Sequence, residues 1–286
     1  MTKLDYTLTN DTLFKMLFVH HPDLLKRLVA VLLDIRLESI EQFDIVNSEI
    51  PPDTKGDKFC RLDINMKVNG QRVDLEVQVD DEGDYPERSL YYWAREFSSE
   101  LHEGEDYIDL PKTVLISIVT FNLFKCADFH SEFQALEVTR HELLTDKMRL
   151  CYFELSKLPK VIGADDELKL WLSLFRAKTE EDLRRIEILG VPIMEQAIEA
   201  YRQTKATDEF RELERLRSRA RHNEAAALRH AREEAEKKAD KKWQAERDKW
   251  QAVNAEKDTI IAENAAVIAE LRARIAKRET SEGKSE

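Results

Sequence analysis

Three carboxylates crowd one short stretch, Arg61-Leu-Asp-Ile-Asn-Met-Lys-Val-Asn-Gly-Gln-Arg-Val-Asp-Leu-Glu-Val-Gln78. Its centre, Asn69-Gly70, is flanked by alternating apolar residues, the strongest short-range signal for a hairpin. With those two residues as the loop, Val68 faces Gln71 and Asp63 faces Glu76. That pair falls at a non-hydrogen-bonded position, where side chains approach most closely. Like charges opposed across a ladder destabilise it, and a divalent cation is the commonest reason to keep them. Alternation gathers Arg61, Asp63, Asn65, Lys67, Arg72, Asp74, Glu76 and Gln78 on one face. Leu62, Ile64, Met66, Val68, Val73, Leu75, Val77 and Val79 take the other. Oxygen ligands at this density suit Mg²⁺ or Mn²⁺ rather than zinc. The competing reading is a solvated sheet face whose carboxylates and arginines pair off. It fits Asp74, next to Arg72 and Arg61, but not Asp63 against Glu76.

The elements around the hairpin follow from spacing. Asn10-Asp11 reads as a helix N-cap, followed by Leu13, Phe14, Leu17 and Phe18, then Leu24, Leu25, Leu28 and Leu32 at helical intervals. Pro22 divides this run into two helices. Glu41 to Ile50 alternates loosely and reads as a strand stopped by Pro51-Pro52. Glu82 to Leu101 reads as a helix, with Arg88, Tyr91, Tyr92, Arg95 and Glu96 along one stripe and a C-cap-like Gly104 beyond it. Thr113 to Phe121 is β-branched and almost continuously apolar, as a strand covered on both faces would be. Met148 to Leu155 reads as another strand. From Asp166 the pattern is helical, with a break near Gly190-Val-Pro192.

No Gly or Pro occurs from Ile193 to Ser281, and the tract is rich in Ala, Glu, Lys and Arg, a long-helix composition. Trp243, Trp250, Lys257, Asn264 and Leu271 are spaced by seven. Val253, Ile260 and Val267 form a second such row, and Ile261, Ile268 and Ile275 a third. These rows predict a coiled coil with an a, d and e seam that makes the protein a homo-oligomer. Glu279 to Glu286 reads as a disordered tail.

The bulk numbers narrow the class. A chain of 286 residues holds one or two domains. A net charge of -12 argues against a surface coated in basic residues, but leaves room for a local basic cleft. Cys60, Cys126 and Cys151 show no paired spacing and read as reduced thiols of a cytoplasmic protein. No apolar h-region opens the chain and no run approaches membrane-spanning length, so neither export nor a membrane partner is expected. No GxSxG elbow or Gly-rich phosphate loop is present. The histidines show no metal-ligand spacing within one helix.

Asp63, twelve residues, then Glu76-Val-Gln78 resembles the PD-(D/E)XK nuclease signature. Asn10-Asp-Thr-Leu-Phe-Lys-Met-Leu-Phe18, Asp57-Lys58 ahead of Arg61, Arg88-Ser-Leu-Tyr-Tyr-Trp-Ala-Arg95, Gly104-Glu-Asp-Tyr107 and Cys151-Tyr-Phe-Glu-Leu-Ser-Lys-Leu158 narrow it. Together they resemble the recombination-promoting nuclease/putative transposase family over roughly residues 8 to 160. The resemblance implies a restriction-endonuclease-like α/β fold with an αβββαβ core, and Mg²⁺- or Mn²⁺-dependent hydrolysis of DNA phosphodiesters in transposition, recombination or defence. Asp63 and Glu76 would be the metal ligands, with the carbonyl of Val77 a further donor. Gln78, which stands where the broader signature has Lys, would join the catalytic set and orient a water but bring no charge. Lys58 or Arg61 would then supply it. Glu49 is a further carboxylate upstream, which reads more simply as a strand-end residue. Lys58, Arg88 and Tyr92 are the candidate DNA-binding residues, through phosphate contact and stacking. For Tyr91 and Trp93, packing against the sheet is the simpler reading. The expected domains are a nuclease-like unit over 1–160, a helical segment over 161–207, a long helix and coiled coil over 208–278, and a tail over 279–286. The rival reading is a catalytically inactive nuclease-like protein that acts as a coiled-coil scaffold or regulator.

Overall fold

The structure is a computed structural model that describes residues 2–46, 49–50, 60–61, 63–99, 101, 104 and 106–282, without the side chains of 49–50, 60–61, 221, 224 and 275–282. The chain divides into two compact units, Met1–Arg215 and Leu216–Glu286.

Helix α1 (Asp11–His20) is capped by Asn10, whose side chain accepts from the backbone N–H of Leu13 at 3.0 Å. Helix α2 (Pro22–Leu32) starts on Pro22, where the missing N–H leaves no bond unmade. The strand expected from Glu41 to Ile50 is two pieces, β1 (Phe43–Val46) and β2 (Glu49–Ile50), and β2 pairs with β3 (Cys60–Arg61). The hairpin strands are β4 (Ile64–Val68) and β5 (Gln71–Gln78). Their register follows the Asn69-Gly70 loop, from Val68 opposite Gln71 to Ile64 opposite Leu75. Both loop residues have positive φ, 49° for Asn69 and 77° for Gly70, as a tight hairpin turn of this hand requires.

Helix α3 (Tyr85–Ser99) is shorter at both ends than the span expected from the stripe. Strand β6 (Thr113–Val119) is buried at all seven positions, which accounts for its unbroken apolar run. Strands β7 (His130–Phe133) and β8 (Met148–Glu154) complete a six-stranded sheet ordered β1-β4-β5-β6-β8-β7. Pairs β5–β6 and β6–β8 are parallel, the others antiparallel. The run α2, β1, β4, β5, α3, β6 is the expected αβββαβ order. Strand β7 was not anticipated: four residues, His-Ser-Glu-Phe, carry little apolar alternation.

Each sheet face is covered. The larger core joins Ile64, Met66, Val73 and Leu75 to Phe14 and Phe18 of α1 and Leu25 and Leu28 of α2. The smaller gathers Tyr85 of α3 with Leu115, Val119, Leu150 and Tyr152. Helices α4 (Glu167–Arg176), α5 (Glu180–Glu187) and α6 (Pro192–Ala206) follow the expected breaks. Residue 160 does not mark an edge of the core, since Trp171, Phe175, Met194 and Tyr201 belong to the same cluster as Phe14 and Phe18. Helix α7 (Asp208–Glu282) is continuous beyond residue 278, so the part of the expected tail up to Glu282 is helical and 283–286 lie outside the described residues. Its first turns belong to the first unit: Phe210 is fully buried, and the carboxylate of Glu214 accepts from Thr12 Oγ at 3.0 Å.

Candidate active site

The hairpin register is what brings Asp63 to Glu76. Asp63 sits one step beyond the last ladder pair, in a bend. Strand β4 begins at Ile64, short of Val77 in the register, and the N–H of Val77 goes to a side chain. Asp63 Oδ2 takes it at 2.9 Å, while Glu76 Oε1 accepts from the N–H of Asp63 at 2.8 Å. The two carboxylates are thus held by each other's backbone segments. Val77 contributes its N–H to this lock.

The polar face of the hairpin is not solvated. Asn65, Asp74 and Glu76 are buried beneath α3. Burial drives the Glu76 carboxyl well above the usual range, and the charge of Asp63 pushes it further. Asp63 is also raised by burial, a shift opposed by Lys15 and the N–H of Val77. Asp74 is raised well above the usual range by burial, then by Glu76 and Glu96. Among the described residues neither oxygen of Asp74 has a hydrogen-bond partner, so the expected pairing with Arg72 is reduced to the pull of its charge, and the Arg61 side chain lies outside those residues. Arg72 donates to Asn65 at 3.2 Å and lies 3.9 Å from Glu96. Glu154, also fully buried, shows the contrast. It accepts from the N–H groups of Leu123 and Phe124 and pairs with Lys157 at 2.7 Å, so its charge is met. Among the described residues, the charges that lower the hairpin carboxyls are those of Lys15, Arg72 and Arg88, and burial outweighs them. Asp63 and Glu76 offer oxygen donors of the kind a divalent cation takes, but Asp74 does not complete a set of three with them, since among the described residues three donor atoms come within 4.8 Å of one another only at a different cluster.

Among the described residues, Lys15 and Arg88 are the cations whose charge acts on Glu76. Lys15, on α1, lies 3.2 Å from Asp63 Oδ1 and 2.9 Å from Asp11 Oδ1. From Asp11 to Phe18, only Asp11 and Lys15 are not buried, so α1 lays its apolar sides on the core and turns this one pair toward the carboxylates. Arg88, on α3, pairs with Glu82 at 2.5 Å and sits over the Tyr85 ring at 5.1 Å. Its charge lowers the Glu76 carboxyl, yet its buried Nε and Nη2 have no hydrogen-bond partner among the described residues.

The other expected residues divide. Gln78 is partly exposed; its Nε2 donates to the carbonyl of Asp80 at 2.7 Å, and its Oε1 is left as an acceptor. Lys58 lies outside the described residues, as do the side chains of Arg61 and Glu49. Tyr92 is half-buried with its ring 6.4 Å from that of Tyr91, which is exposed. Trp93 packs on the sheet as expected, donating to the carbonyl of Thr113 at 2.9 Å and stacking on Phe97. Sequence reasoning passed over Lys15. The available signal was its place four residues after Asp11 in a helix otherwise apolar at every helical interval.

A second cluster was invisible to spacing. Pairing of β7 with β8 brings donor atoms of His130, Glu132 and Cys151 within 4.8 Å of one another. Arg149 already pairs with Glu132 at 2.8 Å, the imidazole of His130 stacks on Phe153, and burial pushes the Cys151 thiol up to about 11. A groove of about 700 Å³ beside α4 and α5, lined by Lys160, Arg176, Lys178 and Arg185 among others, includes none of the hairpin carboxylates. Among the described residues no helix is long and apolar enough to cross a membrane.

A family model described as PD-(D/E)XK nuclease family transposase matches residues 8–231. The match extends past residue 160, where the quoted motifs end, through α6 and into α7. No curated protein and no solved structure matches the chain.

Proposed function

The chain belongs to the PD-(D/E)XK nuclease family transposases, and from that premise we propose that it is a divalent-metal-dependent endonuclease hydrolysing DNA phosphodiesters in transposition, recombination or defence. The observation that carries this reading is the lock between Asp63 and Glu76. Two carboxylates, Glu76 buried and Asp63 half-buried, are fixed side by side through backbone N–H groups, and burial raises both. Asp63 and Glu76 would hold Mg²⁺ or Mn²⁺, with Asp74 behind them. When bound, the cation lowers the pKa of a water and offsets charge on the scissile phosphate.

The chain's own residues supply the rest. Lys15 favours the ionised form of Asp63, against the burial that raises it, and places a positive charge at the mouth of the site. It takes the place that the signature's Lys has in other nucleases, so Gln78 need not carry charge. Gln78 Oε1 is left to accept from a water. Arg88, whose charge acts on Glu76, would offer that charge to a backbone phosphate. Tyr92 and Lys58 stand with Arg88 as substrate-binding residues.

The test is Mg²⁺-dependent cleavage of plasmid DNA by the purified protein and by Asp63→Ala and Glu76→Ala. Activity that disappears with EDTA and in both variants supports the proposal. Equal residual cleavage in the variants overturns it, and a folded wild type with no cleavage favours the inactive-scaffold reading.

A further inference from the structure

In the second unit, the seam of α7 stands open to solvent. Trp243 is 67% exposed and Trp250 66%, and Val253, Ile260, Ile261, Val267, Ile268 and Leu271 are exposed as well. Contiguous apolar rows of this length on a charged helix call for a partner. The residues that flank the seam say which one. At the g positions the charge changes sign along the helix: Lys242 and Lys249, then Glu256, Glu263 and Glu270.

A parallel pair matches each g residue with the e residue five positions on in its partner. That sets Lys242 against Arg247, Lys249 against Asn254, Glu256 against Ile261 and Glu263 against Ile268. It also stacks Lys257 on Lys257 within the core. An antiparallel pair instead matches g with g. Lys242 then meets Glu270 and Lys249 meets Glu263, each twice by symmetry, with Glu256 at the centre. The core layers agree with that register. Trp243 meets Val267, Trp250 meets Ile260, Glu246 meets Asn264, and Lys257 lays its stem on Val253 with its charge free to reach water. Each large indole faces a β-branched side chain instead of another indole. Only Glu270 among these charges has an intrahelical partner described, Arg274 at 3.1 Å, an exposed pair worth little.

We infer that the distal part of α7 pairs antiparallel with a second copy of this chain, in the register that joins Lys249 to Glu263. The inference rests on the coiled-coil reading of the tail and adds its direction. Sedimentation equilibrium of the full chain tests both, with Lys249→Glu, Glu263→Lys and the two together. The expected result is a wild-type dimer, about tenfold weaker association in each single variant, and recovery in the double variant. The tenfold figure follows from two symmetric pairs turned from attraction to repulsion at roughly 0.3–0.5 kcal/mol per contact. Circular dichroism controls for loss of helix. A wild type that is monomeric at tens of micromolar overturns the coiled coil itself. A dimer whose double variant stays as weak as the singles, or whose singles associate like wild type, overturns only the antiparallel register.

Discussion

Glu76→Gln should make the metal-free protein more stable while destroying its activity. Glu76 is buried against a second carboxylate, and its ionised form is disfavoured by that burial and by Asp63. The amide keeps the same shape. Its oxygen still accepts from the N–H of Asp63, and its NH₂ group finds the Asp63 carboxylate beside it. Replacing an ionisable carboxyl that burial disfavours with a neutral amide, while keeping its hydrogen bond, should contribute about 1–2 kcal/mol, the usual scale for relieving a functional site. For a unit of this size that raises Tm by about 2–8 °C. Since the folded carboxyl is raised, the folded metal-free chain holds a proton that the unfolded chain has released. Wild-type stability therefore falls as pH rises from about 4.3, the unfolded value, through the folded one. In Glu76→Gln this contribution to the slope vanishes. The assay is thermal and urea unfolding in EDTA from pH 5 to pH 8, repeated in excess Mg²⁺. At a metal concentration about a hundred times Kd the wild type gains about 2.7 kcal/mol and the variant gains none, so their order inverts. A folded Glu76→Gln protein less stable than wild type in EDTA at pH 8 would refute the reasoning.

Other outcomes follow from neighbouring contacts. Lys15→Met should lower cleavage by about 10²–10³, the loss typical of one electrostatic contact in a site. Lys15→Arg should recover part of it, measured by initial rates at saturating Mg²⁺. Metal binding must displace protons from the raised Asp63 and Glu76 carboxyls, so Mn²⁺ affinity by calorimetry should weaken as pH falls toward 5, with proton release visible as a buffer-dependent heat. Phe210→Ala should cost about 3–5 kcal/mol by urea unfolding, since this α7 residue is fully buried and packs edge-on against Tyr6 at 4.9 Å. A cost below about 1 kcal/mol would mean that α7 is not anchored in the first unit's core.

Much of the fold was legible because its signals are local. Asn69-Gly70 fixes the register by turn chemistry, Pro22 separates two helices by backbone constraint, and the β-branched run at Thr113 can only be a covered strand. The facing of Asp63 and Glu76 follows from that register by counting. What remained hidden depends on contacts distant in sequence. Lys15 reaches Asp63 across 48 positions, and nothing in the period of α1 says which surface its one charged pair will meet. The polar face of the hairpin looked ready for solvent because alternation reports two faces, not what lies on them. Only the packing of α3 reveals that Asp74 is sealed in. The shared core of α4 to α6 was missed for a related reason: a helix's apolar stripe gives no address for its partner.

The turn at the other end of the hairpin carries a consequence of its own. Asn69 accepts from the N–H groups of Glu41 and Gln42 and donates to the carbonyl of Ser39, tying the loop to the chain that enters β1. Side chains along a strand alternate, so sliding β4 by one residue would turn Asp63 into the apolar layer and bring Ile64 out to face α3. The clasp is therefore a phase setting. It decides, from the far end of β4, which parity of residues is chemical and which is structural, and a single inserted or deleted residue between Asn69 and Asp63 would exchange the two.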